Sequence, residues 1–310
     1  MNLFGTVLTY PAPSSNYRGE SAENRSIIQK ITIGRFEYPV MSPEAIRNAI
    51  REMLQALGLP CNRERLLDEE QLAVKFKDYP DADRYADDFF MGWLIAASSS
   101  DRKKIEREVK DAGRDFNKFS FKRDSILRMN MAVALEPYRY DSVFTQSPKN
   151  VDSPWKNADN SQLLHRETVY SAFQYPFAVN LKDCETRPQW TRTLLKAIGQ
   201  LNGVAGNHAR SYFEMAPASI LIRLTPQLVA GYNTYGFEIK DGNHTFPKVT
   251  EGLLKDDYPG SEFYLGGEIV KGMDEKCIME LKAKRVTMER SPQKLLEILG
   301  SVAFPESKEK

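Results

Sequence analysis

The apolar positions of the first forty residues fall in the pattern of strands. Leu3 to Tyr10 is rich in β-branched and aromatic side chains and predicts a strand that Pro11 and Pro13 stop. A polar loop follows from Ser14 to Arg25, and 27–40 reads as further extended structure with a turn at Gly34. The pattern then changes period. Ile46, Ala49, Ile50, Met53, Leu54 and Leu57 recur at helical spacing, with Ser42 placed as N-cap, Pro43 in the first turn and Gly58 just beyond the end, so 43–57 is a helix. Arg47, Asn48 and Arg51 fall off its apolar stripe.

Residues 62–120 are charged and helical in parts, broken by a turn over Lys77–Pro80, and strongly apolar only from Phe89 to Ala97. They read as an insertion on the main fold. Strands are expected in 125–140 and 167–180, separated by a long polar stretch, Asp141 to Arg166, of the kind that serves function in a compact fold. Trp190, Leu194, Leu195, Ile198 and Leu201 share one face of a helix over 190–202. The glycine-containing turn Gly203–Arg210 follows, then a strand near 218–225 and, after a mixed region, a helix near 292–299. Residues 305–310 look frayed. The order strand, helix, insertion, strand, long loop, strand, helix, strand fits an α+β chain with a ferredoxin-like βαββαβ core carrying insertions. Many unrelated functions share that core.

Charge adds little by its total. The 310 residues carry a formal net charge of +1. The distribution is uneven: 102–128 is rich in bases, from Arg102, Lys103 and Lys104 to Lys122, Arg123 and Arg128, whereas acids such as Asp256, Asp257, Glu262 and Glu268 collect after Glu251. A basic groove balanced by an acidic back has this signature. Cys61, Cys184 and Cys277 are too far apart for a disulfide framework or a zinc cluster, which suits a reducing compartment. No signal peptide and no membrane-length apolar run is evident, so a cytoplasmic protein is expected.

Enzymatic readings find little support. His165, His208 and His244 make no metal-binding spacing, there is no phosphate loop or nucleophile elbow, and Asp87-Asp88 reads as a solvated pair on a charged helix. No cofactor or metal site is expected. Nucleic-acid readings fare better. Asn16, Tyr17, Arg18, Asn24 and Arg25 combine amides, an aromatic ring and guanidiniums in one loop, as a sugar-phosphate backbone with stackable bases requires. Arg47 and Arg51 stand one helical turn apart, with Asn48 beside them, and suit neighbouring phosphates; a solvated helix face is the plainer alternative. Lys122, Arg123 and Arg128 bracket a strand on which Asn130 alternates with Arg128. Asn207, His208 and Arg210 offer cationic tips and backbone N–H groups in the glycine turn.

The same stretches carry a family likeness. Asn2–Arg25, Ser42–Arg51, Lys122–Tyr138, and Leu201–Arg210 with Pro217-Ala-Ser219 following resemble the DevR-type CRISPR-associated backbone proteins. The first block is the most specific, and the region after about 230 adds little. The resemblance implies a hand-shaped subunit. Its palm, a modified RNA-recognition core, would span 1–60, 121–140 and 167–310, with fingers in 61–120 and a thumb hairpin in 141–166. It implies copies stacked head to tail along a guide RNA (crRNA) in a type I Cascade complex, with other Cascade subunits and with target DNA paired through the guide. No membrane partner is implied. Phe144, Trp155 and Leu163 are candidate wedges against a base step, with Gln162 and His165 near the backbone. A non-catalytic role follows. The alternatives are a metal-dependent ribonuclease using Asp141, Asp152 or Asp159, as in related type III subunits, and a transcriptional autoregulator, which would need duplex readout.

Overall fold

The computed structural model describes residues 1–14, 17–22, 25–65, 74–146, 163–204 and 214–305, with backbone alone for 17–22, 25–26, 65, 118, 145–146 and 163–164. A nine-stranded sheet organises it. Its strands are β1 (Asn2–Leu8), β2 (Lys30–Ile33), β3 (Phe36–Met41), β4 (Leu127–Met129), β5 (Ala132–Ala134), β6 (Phe173–Asn180), β7 (Ser219–Thr225), β8 (Phe263–Gly267) and β9 (Thr287–Glu289). They lie in the order β9-β8-β7-β1-β6-β5-β3-β2, with β4 also paired to β6. All neighbours are antiparallel except β8 and β9.

The expected elements fall into place around this sheet. Gly34 turns the chain between β2 and β3. Helix α1 (Pro43–Ala56) starts where Ser42 accepts the Ala45 N–H at 3.2 Å. The other helices are α2 (Ala86–Met91), α3 (Ser99–Asp111), α4 (Pro188–Gly199), α5 (Pro247–Leu254), α6 (Glu268–Lys271), α7 (Glu275–Ala283) and α8 (Pro292–Ala303). Ser98, Asp274 and Ser291 cap α3, α7 and α8 with their side chains, satisfying N–H groups that a helix start leaves unpaired.

Because side chains alternate across a strand, the sheet feeds two cores. Leu3, Val7, Tyr175, Phe177, Ile220 and Ile222 point into one cluster with Ile46 and Ile50 of α1, Leu194 and Ile198 of α4 and Leu295 and Leu299 of α8. Leu8, Leu221, Phe263 and Leu265 join a second cluster with Phe246, Val249, Leu253 and Leu281 from the C-terminal helices. Helix α2 belongs to the first cluster through Ala86, Phe89, Phe90 and Met91, so the charged stretch after α1 is anchored in the main core.

A smaller four-stranded sheet stands apart, in the order 142–146, 163–167, 25–28, 17–22. The polar stretch after Asp141 therefore begins and ends in paired strands, Ser142 opposite Glu167 and Gln146 opposite Leu163. The architecture is α+β, as the sequence led us to expect.

Candidate nucleic-acid interface

Helix α1, the end of α2 and a two-stranded ladder enclose an open groove of about 560 Å³. In the ladder, Arg123 lies opposite Trp93 and Lys122 opposite Leu94. Five residues singled out from the sequence line the groove: Arg47, Asn48, Arg51, Lys122 and Arg123. Arg63, Trp93 and Phe76 line it too, and the sequence reading had not picked them. Five cations thus face two acids, Glu44 and Asp124. The two aromatic rings among these cations are what a single-stranded nucleic acid needs from a binding surface.

The backbone at Gly92 makes this arrangement possible. Gly92 ends α2 with φ +60, and a Cβ there would lie 2.1 Å from the Arg123 carbonyl oxygen. Only glycine allows the ladder to pass this close. The Asp88 carbonyl accepts the capping Gly92 N–H at 3.1 Å; the carbonyls beyond it have no partners within the helix, and guanidiniums reach this end of α2. Arg47 Nη2 donates to the Met91 carbonyl at 2.6 Å and to Ser125 Oγ at 2.7 Å. Arg63 donates to the Gly92 carbonyl, and Arg123 donates to the carbonyls of Asp88, at 3.2 Å, and Phe89. Each guanidinium carries five N–H donors, so a contact at one nitrogen leaves capacity at the others.

Arg51 differs from the expectation of a helix-face residue standing off the core. It is 6% exposed, with Nε 3.3 Å from Asp87 Oδ2, and it donates to Asn48 Oδ1 and to Met91 Sδ. The reason lies outside α1: the segment 61–65 and α2 fold over that face. Asp87 and Asp88, read as a solvated pair, are wholly buried. Asp87 accepts the backbone N–H groups of Asn62 (2.8 Å) and Arg63 (3.0 Å). Asp88 accepts Asn62 Nδ2 at 2.7 Å and the Asp81 N–H at 2.9 Å. Burial, reinforced by the nearby Arg63 cation, pushes Arg51 down to about 10, and it lowers Arg47 as well. Burial is also the main cause that lowers Arg63 and Arg123. All four guanidiniums stay protonated at neutral pH; Arg47 and Arg51 bear repulsion from neighbouring cations as well as desolvation, and an approaching polyanion would relieve that repulsion.

The remaining sequence candidates lie elsewhere. Arg128 and Asn130 are exposed beside β4, with Arg128 opposite Ala178 of β6. Tyr17, Arg18 and Arg25 sit on strands of the smaller sheet, where Arg25 is the register partner of His165. Phe144 is 55% exposed and stands edge-on to His165, ring centroids 4.8 Å apart. The smaller sheet thus joins the first loop to the stretch after Asp141, two regions that the sequence reading treated separately. Leu163 opens a strand of that sheet. Asn16, Asn24, Trp155, Gln162, Asn207, His208 and Arg210 lie outside the described residues, as do Asp152 and Asp159. Asp141 accepts the N–H of the adjacent Ser142 at 2.8 Å, just before the strand 142–146. His244 is buried, its Nδ1 2.9 Å from Ser219 Oγ. Among the described residues no group of three or more metal-ligating side chains occurs, and no helix is long and apolar enough to cross a membrane.

No family model matches the chain. It is 27% identical over 315 residues to the CRISPR-associated protein Cas7/Cst2/DevR of Myxococcus xanthus (strain DK1622), covering 96% of this chain and 98% of the relative. Among solved structures it is similar to a chain of a CRISPR RNA-guided surveillance complex, with TM-score 0.55 and 12% identity over 98% of this chain and 100% of that one. A chain of such a complex in a pre-nicking state gives TM-score 0.57 and 13% identity over the same shares. The structural likeness is one of fold. The resemblance to DevR-type proteins read from the sequence is borne out along nearly the whole chain.

Proposed function

We propose that this chain is a guide-RNA-binding backbone subunit of a type I CRISPR surveillance complex, holding single-stranded RNA in the groove between α1 and the Trp93–Arg123 ladder. The observation that carries the proposal is the gathering of Arg47, Arg51, Arg63, Lys122 and Arg123 with Trp93 and Phe76 in one open groove. Guanidiniums and a lysine suit phosphates, and indole and phenyl rings suit base faces, with no dependence on base identity. A subunit that must hold any guide needs that indifference. Sequence recognition is then left to pairing between guide and target DNA.

The palm is a modified RNA-recognition core. Its support is the run β7-β1-β6-β4/β5, antiparallel throughout, with α1 coming after β1 once β2 and β3 have been inserted, α4 following β6, and both helices contributing to the same core. The segment 61–120 forms the fingers. The hairpin from Ser142 forms the thumb, with Phe144 as an exposed ring available to wedge a base step. Copies stack head to tail along the guide beside other subunits, and the chain itself catalyses nothing. These finer assignments follow the resemblance.

The test is equilibrium binding of the purified chain to single-stranded RNAs of scrambled sequence and to duplex DNA, with magnesium present. Tight, salt-dependent and sequence-independent RNA binding without cleavage is expected. Duplex preference at one DNA sequence, or cleavage of the RNA, would refute the reading.

A further inference from the structure

Under the groove lie two carboxylates that no RNA could reach. Asp87 and Asp88 have no exposed surface, yet each has cations or N–H donors arranged around it. Asp87 holds the backbone of Asn62 and Arg63, the residue before the strand 63–65 and its first residue, and it faces Arg51 Nε at 3.3 Å. Asp88 holds the Asn62 side chain and lies 4.0 Å from Arg63 Nη2. Asn62 closes the arrangement by donating to the Asp78 carbonyl (3.0 Å) and accepting the Asp78 N–H (2.9 Å), which ties down the turn that follows the strand 74–76. Through these contacts the pair fixes Arg63 by its backbone, and Asp87 fixes Arg51 by its side chain. Both arginines line the groove.

We propose that Asp87 and Asp88 are positioning residues for RNA binding: they hold the strand that carries Arg63, and Arg51, against the end of α2, so that the groove's cations are arranged before a phosphate arrives. The inference rests on the RNA-binding reading above. It makes a prediction whose sign is opposite to that of simple charge. If groove affinity followed net charge alone, replacing a nearby carboxylate by an amide would add one positive charge and tighten binding. If the carboxylates position the donors, the same change weakens it. A buried network with one member altered leaves the others without their partners.

The experiment is a salt titration of full-length chain binding to a fluorescein-labelled single-stranded RNA of mixed sequence. Asp87→Asn, Asp88→Asn and Arg51→Lys are compared with the unaltered chain and with Glu262→Gln. The last breaks a different, partly buried ion pair, Arg223 Nε to Glu262 Oε2 at 2.8 Å, between β7 and the turn that precedes β8, outside the groove. The expected result is affinity lower by roughly tenfold for the two aspartate variants and a shallower salt slope. Arg51→Lys, which keeps the charge and loses the fork, weakens binding in the same direction. Glu262→Gln binds like the unaltered chain. Asp87→Asn or Asp88→Asn that melts cooperatively and binds equally or more tightly overturns the proposal, as does equal weakening by Glu262→Gln. If the aspartate variants do not fold, unchanged binding by Arg51→Lys overturns it. Failure of the unaltered chain to bind RNA would refute the functional reading itself, a result distinct from binding that survives these substitutions.

Discussion

The carbonyl oxygen of Arg123 lies where a side chain on Gly92 would begin: a Cβ built on Gly92 meets it at 2.1 Å. This contact joins the end of α2 to the ladder that carries Arg123 and Trp93, so the shape of the groove depends on a residue with no side chain. Gly92→Ala that keeps φ near +60 meets this oxygen and must move the ladder. The left-handed backbone alone costs on the order of 1–3 kcal/mol, before any displacement. We expect a lower melting temperature and RNA affinity reduced together, with every groove cation still present. A variant that melts and binds as the unaltered chain does would show that the close approach is not needed.

Lys122 and Arg47 test the phosphate contacts. Lys122 is exposed, its ammonium 3.4 Å from Asp124, a weak surface pair. Lys122→Ala should leave stability within about 0.5 kcal/mol, as for most surface changes. For each of Lys122→Ala and Arg47→Ala, the slope of log affinity against log salt should fall by about 0.7 if one contact to a single strand is lost. Equal weakening across RNA sequences is expected, and an effect confined to one sequence would argue for base-edge readout instead.

Trp93 is fixed in orientation because its Nε1–H donates to the Ser120 carbonyl at 2.7 Å. Trp93→Ala should cost about 1–3 kcal/mol of RNA affinity if a base stacks there. Trp93→Phe should recover part of that loss while lacking the hydrogen bond. Direct titration of both variants separates stacking from positioning.

His244 supplies a pH test of the second core. Burial lowers its pKa below the usual 6.5 for histidine. The unfolded chain therefore binds a proton more readily than the folded one below pH 6.5. Stability is complete above the unfolded pKa and declines as pH falls through 6.5 toward the folded value. Between pH 7.5 and 5.5 the melting temperature of the unaltered chain should fall more than that of His244→Gln. Parallel curves would mean that His244 does not carry the dependence.

Phe144 stands opposite His165 with more than half its surface exposed. Phe144→Ala should change stability by no more than about 1 kcal/mol, the worth of one edge-on aromatic contact. If the ring wedges bases, the variant should lose any regular spacing in ribonuclease protection of the bound RNA. A protection pattern identical to that of the unaltered chain would remove Phe144 from that role.

Local signals made much of the frame legible. Ser42, Pro43 and Gly58 mark α1 in the sequence, and Ser42 and Gly58 take the backbone roles their positions suggest. The helix expected near 292–299 is α8, with Pro292 in its first turn. The groove was legible in part: Arg47, Asn48, Arg51, Lys122 and Arg123 were noted as two separate signals, and the fold unites them. What escaped was everything set by long-range contact. A helical projection of α1 places Arg51 off its stripe because it cannot include the segment 61–65 and α2, which cover that side. Asp87-Asp88 reads as a surface pair because nothing nearby in the sequence shows that Asn62 and Arg63 come to meet them. Arg63 was hidden in a charged run, Arg63-Glu-Arg65, whose pairing with Val74–Phe76 is visible only in the fold. Trp93 lies inside the apolar stretch Phe89 to Ala97, where nothing local distinguishes it, and Gly92 turns the chain so that it reaches the groove.

The most direct measurement is ultraviolet cross-linking of the full-length chain to single-stranded RNA, with the cross-linked peptides mapped by mass spectrometry. The groove account predicts cross-links at Trp93 and in the peptides spanning 43–51 and 120–128. Cross-links confined to the C-terminal core around Phe246 and Phe263, with none in those peptides, would contradict it.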